Sequence, residues 1–166
     1  MKKQTKKQQS GRSMIEMVGV LAVMGLITAA AFVLINSAMS SQRLSRIDDD
    51  VAGIVNGVRL LYNSQPDFAG AETGKASKGE DTLVLLGFGN GDKPYQNPYG
   101  GNYEITQNVS NKTFTVTITG LGDKTCTVLA ARDWAGATSK GECTAGTDGK
   151  KTLSITYGKT DERMNL

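Results

Sequence analysis

The spacing of hydrophobic residues changes twice along this chain, and each change marks an element boundary. From Met14 to Ile35 every residue except Glu16 is apolar, glycine or threonine. At about 1.5 Å per residue the run makes a helix of about 33 Å, enough for a hydrocarbon core of about 30 Å. Past Ile35 polar positions return in order. Leu44, Ile47, Val51, Ile54, Val58 and Leu61 step by three and four residues, the signature of one apolar helix face. Arg43, Arg46, Asp48, Asp49, Asp50 and Arg59 lie largely off that face. No proline interrupts Met14–Gln65, so a single helix of about 50 residues and about 75 Å is expected. Gly19, Gly25, Gly53 and Gly57 are the places where it would bend or melt. Its lower half, apolar all round, requires lipid or other helices, whereas its upper half requires a sheet.

Downstream the period shortens. Residues 64–101 are glycine-rich and loop-like, with a short helix expected over Glu80–Leu86: acids at its start and Gly87 beyond its end satisfy capping logic. Asn97-Pro98-Tyr99-Gly100-Gly101 is a strong turn signal. Strands are expected at Tyr103–Gln107, Thr113–Thr119 and Leu153–Tyr157, with Asn108–Asn111 turning the first into the second. Phe114, Val116 and Ile118 alternate with threonines, as in a sheet with one buried face. That face is the natural cover for the Leu44–Leu61 stripe. Thr125–Trp134 reads as a short helix carrying Val128, Leu129 and Trp134 to the sheet, or else as a strand.

Charge and chemistry narrow the function classes. The 166 residues carry a net charge of +3, yet Lys2, Lys3, Lys6 and Lys7 all precede Gly11, and setting those four aside leaves −1. No basic face remains on the folded part, so no specific nucleic acid is expected as a partner. A basic arm before an apolar segment places the N-terminus inside and the remainder outside. Histidine is absent, which removes the usual general base and metal ligand; no catalytic site, metal or cofactor is expected. Cys126 and Cys143 lie in the exported part and read as one disulfide or as two buried thiols.

Several weaker signals resolve to ordinary structure. The acids of Asp48-Asp49-Asp50 point about 100° apart on a helix, so they read as a solvated face paired with Arg46. Gly70–Ala76 has Ala69 and Ala76 where a phosphate loop needs Gly and Ser or Thr, and the Gly87, Gly89, Gly91 run reads as a solvent loop. Two glycosylation-like triplets begin at Asn108 and Asn111 and carry no argument. Tyr95, Tyr99 and Trp134 are assigned to core or turn packing.

Glu16 is the feature that a plain anchor would not need, because an unpaired carboxylate costs about 2.5–3.5 kcal/mol at mid-bilayer. The stretch Gly11-Arg12-Ser13-Met14-Ile15-Glu16 before the apolar run resembles the type III leader of type IV pilins and pseudopilins. The resemblance implies cleavage by a prepilin peptidase after Gly11, with Arg12 as the new, N-methylated terminus. Most of the family has Phe, Met or another apolar residue at that place. Glu16 corresponds to the glutamate that guides filament assembly, and Gly25 to a helix-loosening glycine. The turn at Asn97–Gly101, the strand pair and Gly120-Leu121-Gly122 before Cys126 look most like the heads of type IVb major pilins, of the toxin-coregulated and thin-pilus kind. Cys126 and Cys143 would then bound the family's disulfide region. Leader and head are both shorter than is usual in that branch.

The expected fold class is α+β, a type IV pilin ladle: a long N-terminal α-helix packed on an antiparallel β-sheet, with a C-terminal disulfide region. Residues 1–11 form the leader, 12–35 the membrane and filament-core half of the helix, and 36–166 the head. Within the head, 36–63 is amphipathic helix, 64–102 the αβ-loop, and 103–166 the sheet and disulfide region. The resemblance implies a homo-oligomeric helical filament at the cell surface, reached from the inner membrane through the pilus assembly machinery. A pseudopilin of a type II secretion system, or an exported monomeric binding domain with a simple anchor or cleaved signal, are the alternatives; an enzyme is not expected.

Overall fold

The computed structural model describes residues 14–72, 81–88, 95–108 and 112–158. The chain divides into two compact units, with the boundary inside the first helix between Ser41 and Gln42. The described part of the first unit is helix alone. Helix α1 runs over Met14–Leu61, 48 residues, and every described residue up to Ser41 is exposed.

The second unit is α+β. Helix α2 covers Thr82–Leu85 and α3 covers Asp123–Ala130; strands β1 (Tyr103–Asn108), β2 (Thr113–Leu121), β3 (Glu142–Ala145) and β4 (Lys151–Gly158) follow in chain order. The strands form an antiparallel sheet in the order β1-β2-β4-β3. Side chains alternate across a strand. Phe114, Val116 and Ile118 on β2 are therefore buried together with Leu153, Ile155 and Tyr157 on β4, while the intervening threonines remain half-exposed. Val116 stands opposite Ile155 in the β2–β4 register and opposite Ile105 in the β1–β2 register.

The upper part of α1 supplies the other half of the core. Ile47, Val51, Ile54, Val55 and Val58 are buried against the sheet. At about 1.5–3 kcal/mol for each fully buried aliphatic side chain, this stripe is a principal stabilising surface. It departs from the expected stripe at its end. Leu61 is 42% exposed, and Val55, which is not on the expected stripe, is buried.

Gly53 and Gly57, expected as weak points, are instead docking positions within a continuous helix. A Cβ on Gly57 would sit 2.7 Å from a methyl of Leu86, and one on Gly53 would sit 3.1 Å from the Phe88 ring. These two side chains follow α2, which starts one residue after its cap: the Asp81 carboxylate accepts from the Leu83 N–H at 2.9 Å. Helix formation there thus begins at Thr82; Glu80, Gly89 and Gly91 lie outside the described residues.

The Asn97–Gly101 turn is held by one side chain. Asn97 Oδ1 accepts from the N–H groups of Tyr99 (2.8 Å) and Gly101 (3.2 Å), and Asn97 Nδ2 donates to the Thr119 carbonyl at 2.8 Å. The close approach of that strand end requires glycine: a Cβ on Gly101 would lie 1.9 Å from the Thr119 oxygen. The pairing of β2 with β4 shifts between Ile118 and Leu121, where Gly120 adopts φ +77°. That irregularity carries β2 two residues past its expected end.

Two further expectations change. The helix expected over Thr125–Trp134 is shorter and earlier, and it turns Leu129 and Cys126 inward while Val128 is 50% exposed. Trp134 still reaches the core from the loop beyond α3, donating its indole N–H to the Leu129 carbonyl at 3.0 Å. Strand β3 was not expected at all: its four residues are mostly exposed and carry no alternating apolar pattern. Residues 109–111 of the β1–β2 turn lie outside the described set.

Candidate functional site

The lower part of α1 is the first candidate. Its most apolar 18-residue window has a mean hydropathy of 2.6 and none of it is buried within the chain. Met14, Ile15, Leu21, Leu26, Ile27, Phe32, Val33 and Leu34 are each at least 65% exposed. A surface of this kind, far larger than a soluble protein leaves bare, calls for lipid or protein cover. Glu16 lies in the first turn. Gly19, Val20, Val23 and Met24 share a shallow concavity with it, at helical spacings that put them on one face. No hydrogen bond or ion pair joins Glu16 to another described residue.

Gly25 lies within the same continuous helix. A Cβ on Gly19 or Gly25 would meet nothing within 4 Å, so packing inside the chain gives no reason for glycine at either place. Thr28 donates its hydroxyl to the Met24 carbonyl at 2.8 Å across the turn that contains Gly25. Gly11 and Arg12, expected at the processing site, lie outside the described residues.

The second candidate region is bounded by the disulfide. Cys126 on α3 is bonded to Cys143 on β3, with Cα atoms 6.1 Å apart and a sequence separation of 17. The bond ties the short edge strand to the core, since Cys126 is fully buried. Within the loop it closes, Arg132 pairs with Asp48 of α1. Beside that pair lies a cleft of about 420 Å³ floored by Val51, Val55, Trp134 and Tyr157. Among the described residues no group of three or more metal-ligating side chains is gathered around a common point.

The acidic triplet is not a uniform solvated face. Asp50 turns inward and accepts hydrogen bonds from the hydroxyls of Tyr95 and Tyr103, each at 3.0 Å. Asp48 takes the ion pair with Arg132, and Asp49 alone remains fully outside. The signal was present in the spacing: Asp50 falls three residues after Ile47 and four before Ile54, on the edge of the apolar stripe. Burial raises the Tyr103 hydroxyl far above the ordinary tyrosine range, and the adjacent Asp50 charge adds to the effect. Tyr95 is raised for the same reasons, and its ring stacks 5.2 Å from that of Tyr103. Burial pushes Tyr157 up to about 12, opposed by the nearby Arg59 charge. The Arg59 guanidinium lies 5.9 Å over the Tyr157 ring and donates to the Gly136 carbonyl at 2.9 Å. Tyr99 lies half-buried beneath Arg43. The three aromatics Tyr95, Tyr99 and Trp134 are thus packing residues, as their setting in the sequence implied.

The chain is similar to known proteins of one kind. It is 27% identical over 127 residues to the toxin coregulated pilin of Vibrio cholerae serotype O1, a match covering 73% of this chain and 56% of that protein. A second Vibrio cholerae toxin coregulated pilin is 28% identical over 127 residues, with the same shares covered. The chain thus spans about half the length of the curated relatives it matches. No protein-family profile matches it, and no solved structure does. A long N-terminal helix with an uncovered apolar half, an antiparallel sheet and a disulfide near the C-terminus accompany this similarity to toxin coregulated pilins.

Proposed function

We propose that the chain is a structural subunit of a type IV pilus, held in the inner membrane as a precursor, cut after Gly11 and polymerised through its N-terminal helix. One observation carries the reading: α1 has a wholly uncovered apolar half with a single carboxylate in its first turn. Such a surface is satisfied by lipid before assembly and by copies of itself afterwards. In lipid, helix association depends on close packing rather than on hydrophobic gain. The open faces at Gly19, Ala22, Gly25 and Ala29–Ala31 suit close approach. Cleavage by prepilin peptidase would create a cationic amine on Arg12, about one turn from Glu16. Within one helix the two neutralise each other in the bilayer; between staggered copies, Glu16 of an incoming subunit pairs with the amine of one already in place. A buried charge pair is a poor source of stability but a good device for register. The inner-membrane assembly machinery supplies the force, and the product is an extracellular filament for adhesion, aggregation, motility or DNA transfer.

N-terminal sequencing and intact mass of the mature chain, with blotting of sheared surface fibres, test the reading. The expected results are a first residue at Arg12, one disulfide, and abundant chain in the sheared fraction. Glu16→Ala should lower sheared filament at least tenfold while the precursor remains in the membrane at its usual level. A mature terminus elsewhere, or normal filaments from the Glu16→Ala chain, would overturn it.

A further inference from the structure

All of the lining of the cleft beside the Asp48–Arg132 pair belongs to the second compact unit. Its volume of about 420 Å³ falls among those of small-molecule sites, about 300–1,000 Å³. One wall is a strip of α1, where Asp48, Ala52 and Asn56 follow one another at four-residue spacing. The other is the loop after α3, with Asp133 and Ala135. Ala52 and Ala135 are both small and exposed, so neither wall closes the mouth. The floor is apolar but offers no stacking platform. Trp134 is 8% exposed and Tyr157 1%; the Tyr157 ring stacks on Phe114 at 5.5 Å and lies under the Arg59 guanidinium. A sugar ring would need an open aromatic face, whereas this floor suits a compact apolar body. Charge then selects the head of the ligand. Arg132 is spent on Asp48, and Arg59, which donates to the Gly136 carbonyl, does not line the cleft. Asp133 is exposed and joins no ion pair among the described residues, and the Asn56 side chain hydrogen-bonds to none of them. Two carboxylates and one guanidinium give the lining a net charge of −1, with the unengaged acid at the rim.

We propose that this cleft binds a small organic cation, with an apolar body on Val51, Val55 and Trp134 and an ammonium group at Asp133. The Asn56 amide oxygen is a second acceptor for the ammonium. An anionic ligand would meet Asp133 and could use Arg132 only by releasing it from Asp48, which would leave that carboxylate without its partner. A neutral ligand would gain the floor and leave Asp133 unused. Apolar burial supplies most of the affinity; the exposed Asp133 adds little strength but decides which charge is preferred. A ligand seated here bridges α1 to the loop after α3, so it also stabilises the folded chain. No lining residue comes from the N-terminal unit, so the site does not depend on filament assembly.

Trp134 is the single tryptophan and lines the cleft, so its fluorescence reports occupancy without a label. The full-length oxidised chain, in a non-ionic detergent, is titrated with phenylbutylammonium, phenylbutanol and phenylbutanoate, whose phenyl rings do not absorb where indole is excited. The ammonium compound should give a saturable change at the lowest concentration. The alcohol should need about two- to fivefold more, and the carboxylate more again. Asp133→Asn should remove the advantage of the ammonium over the alcohol, and so should high salt. Ala52→Leu narrows the cleft from an exposed helix position that leucine tolerates. It should weaken all three compounds about tenfold or more, because it takes the place of about two buried methylenes of ligand. The unliganded emission spectrum and the denaturation midpoint show that each variant keeps the fold. Non-saturable changes equal for the three compounds, the behaviour of partition into micelles, overturn the inference. So does tightest binding of the carboxylate, an ammonium preference that survives Asp133→Asn, or binding untouched by Ala52→Leu.

Discussion

Asp50→Leu is expected to be among the most damaging single changes outside the apolar core. The carboxylate accepts two hydrogen bonds at 3.0 Å, from Tyr95 and Tyr103, and so ties α1 to β1 and to the segment before it. Tyr103 is 1% exposed, so its hydroxyl cannot turn to water when the partner is lost. A buried donor left unpaired costs about 1–3 kcal/mol, and hydrogen bonds to a charged group contribute about 1.5–3 kcal/mol each. Tyr95 is partly exposed and recovers a water partner, which leaves a net loss of about 2–4 kcal/mol for Asp50→Leu. Tyr103→Phe removes the donor together with its need and should cost about 1–2 kcal/mol. The double variant should then lose less than the sum, with a coupling of about 1–2 kcal/mol. Denaturant titration of the oxidised full-length chain in detergent measures this, with the fluorescence of the single, buried Trp134 as the probe. An Asp50→Leu chain within about 0.5 kcal/mol of the parent, or strict additivity in the cycle, would refute the reasoning.

Reduction of the disulfide, or paired Cys126→Ser and Cys143→Ser changes, should lower stability by about 3 kcal/mol through loop-closure entropy, measured in the same titration. Hydrogen exchange should show β3 losing protection first, since β4 is the neighbour that pairs with it. Gly101→Ala places a Cβ 1.9 Å from the Thr119 oxygen; a loss of about 3 kcal/mol or more is expected, because backbone rather than a flexible side chain must move. At alkaline pH the raised tyrosines set the sign. Unfolded tyrosine ionises near pH 10, so the stability is fully present below that value. It falls as the pH rises through about 12, where Tyr157 ionises in the folded chain, and onward to Tyr103. Tyrosinate absorbance followed alongside Trp134 fluorescence should show delayed ionisation coincident with unfolding; ionisation near pH 10 with the fold intact would refute it.

Period and composition were enough for the elements that carry their own pattern. The apolar run, the amphipathic continuation, the Asn97–Gly101 turn and the alternating strand at Thr113 each carry a local pattern. Such patterns survive folding because the buried face of an element is written into its own spacing. The cysteines were legible as a pair only through their count, and Glu16 stood out only as an acid at the start of an apolar run. The remaining features depend on contacts between elements far apart in the chain. β3 exists because β4 offers an edge and Cys126 holds Cys143 beside it, not because its four residues favour a strand. Val55 entered the core and Leu61 did not, although the spacing put Leu61 and not Val55 on the stripe. Gly53 and Gly57 turned from weak points into contact points when Phe88 and Leu86 packed onto them. Asp50 became a half-buried acceptor because two tyrosines distant in sequence converge on it. A local pattern records which face of an element avoids water; which neighbour covers that face depends on contacts across the chain, and these form only when the whole chain packs.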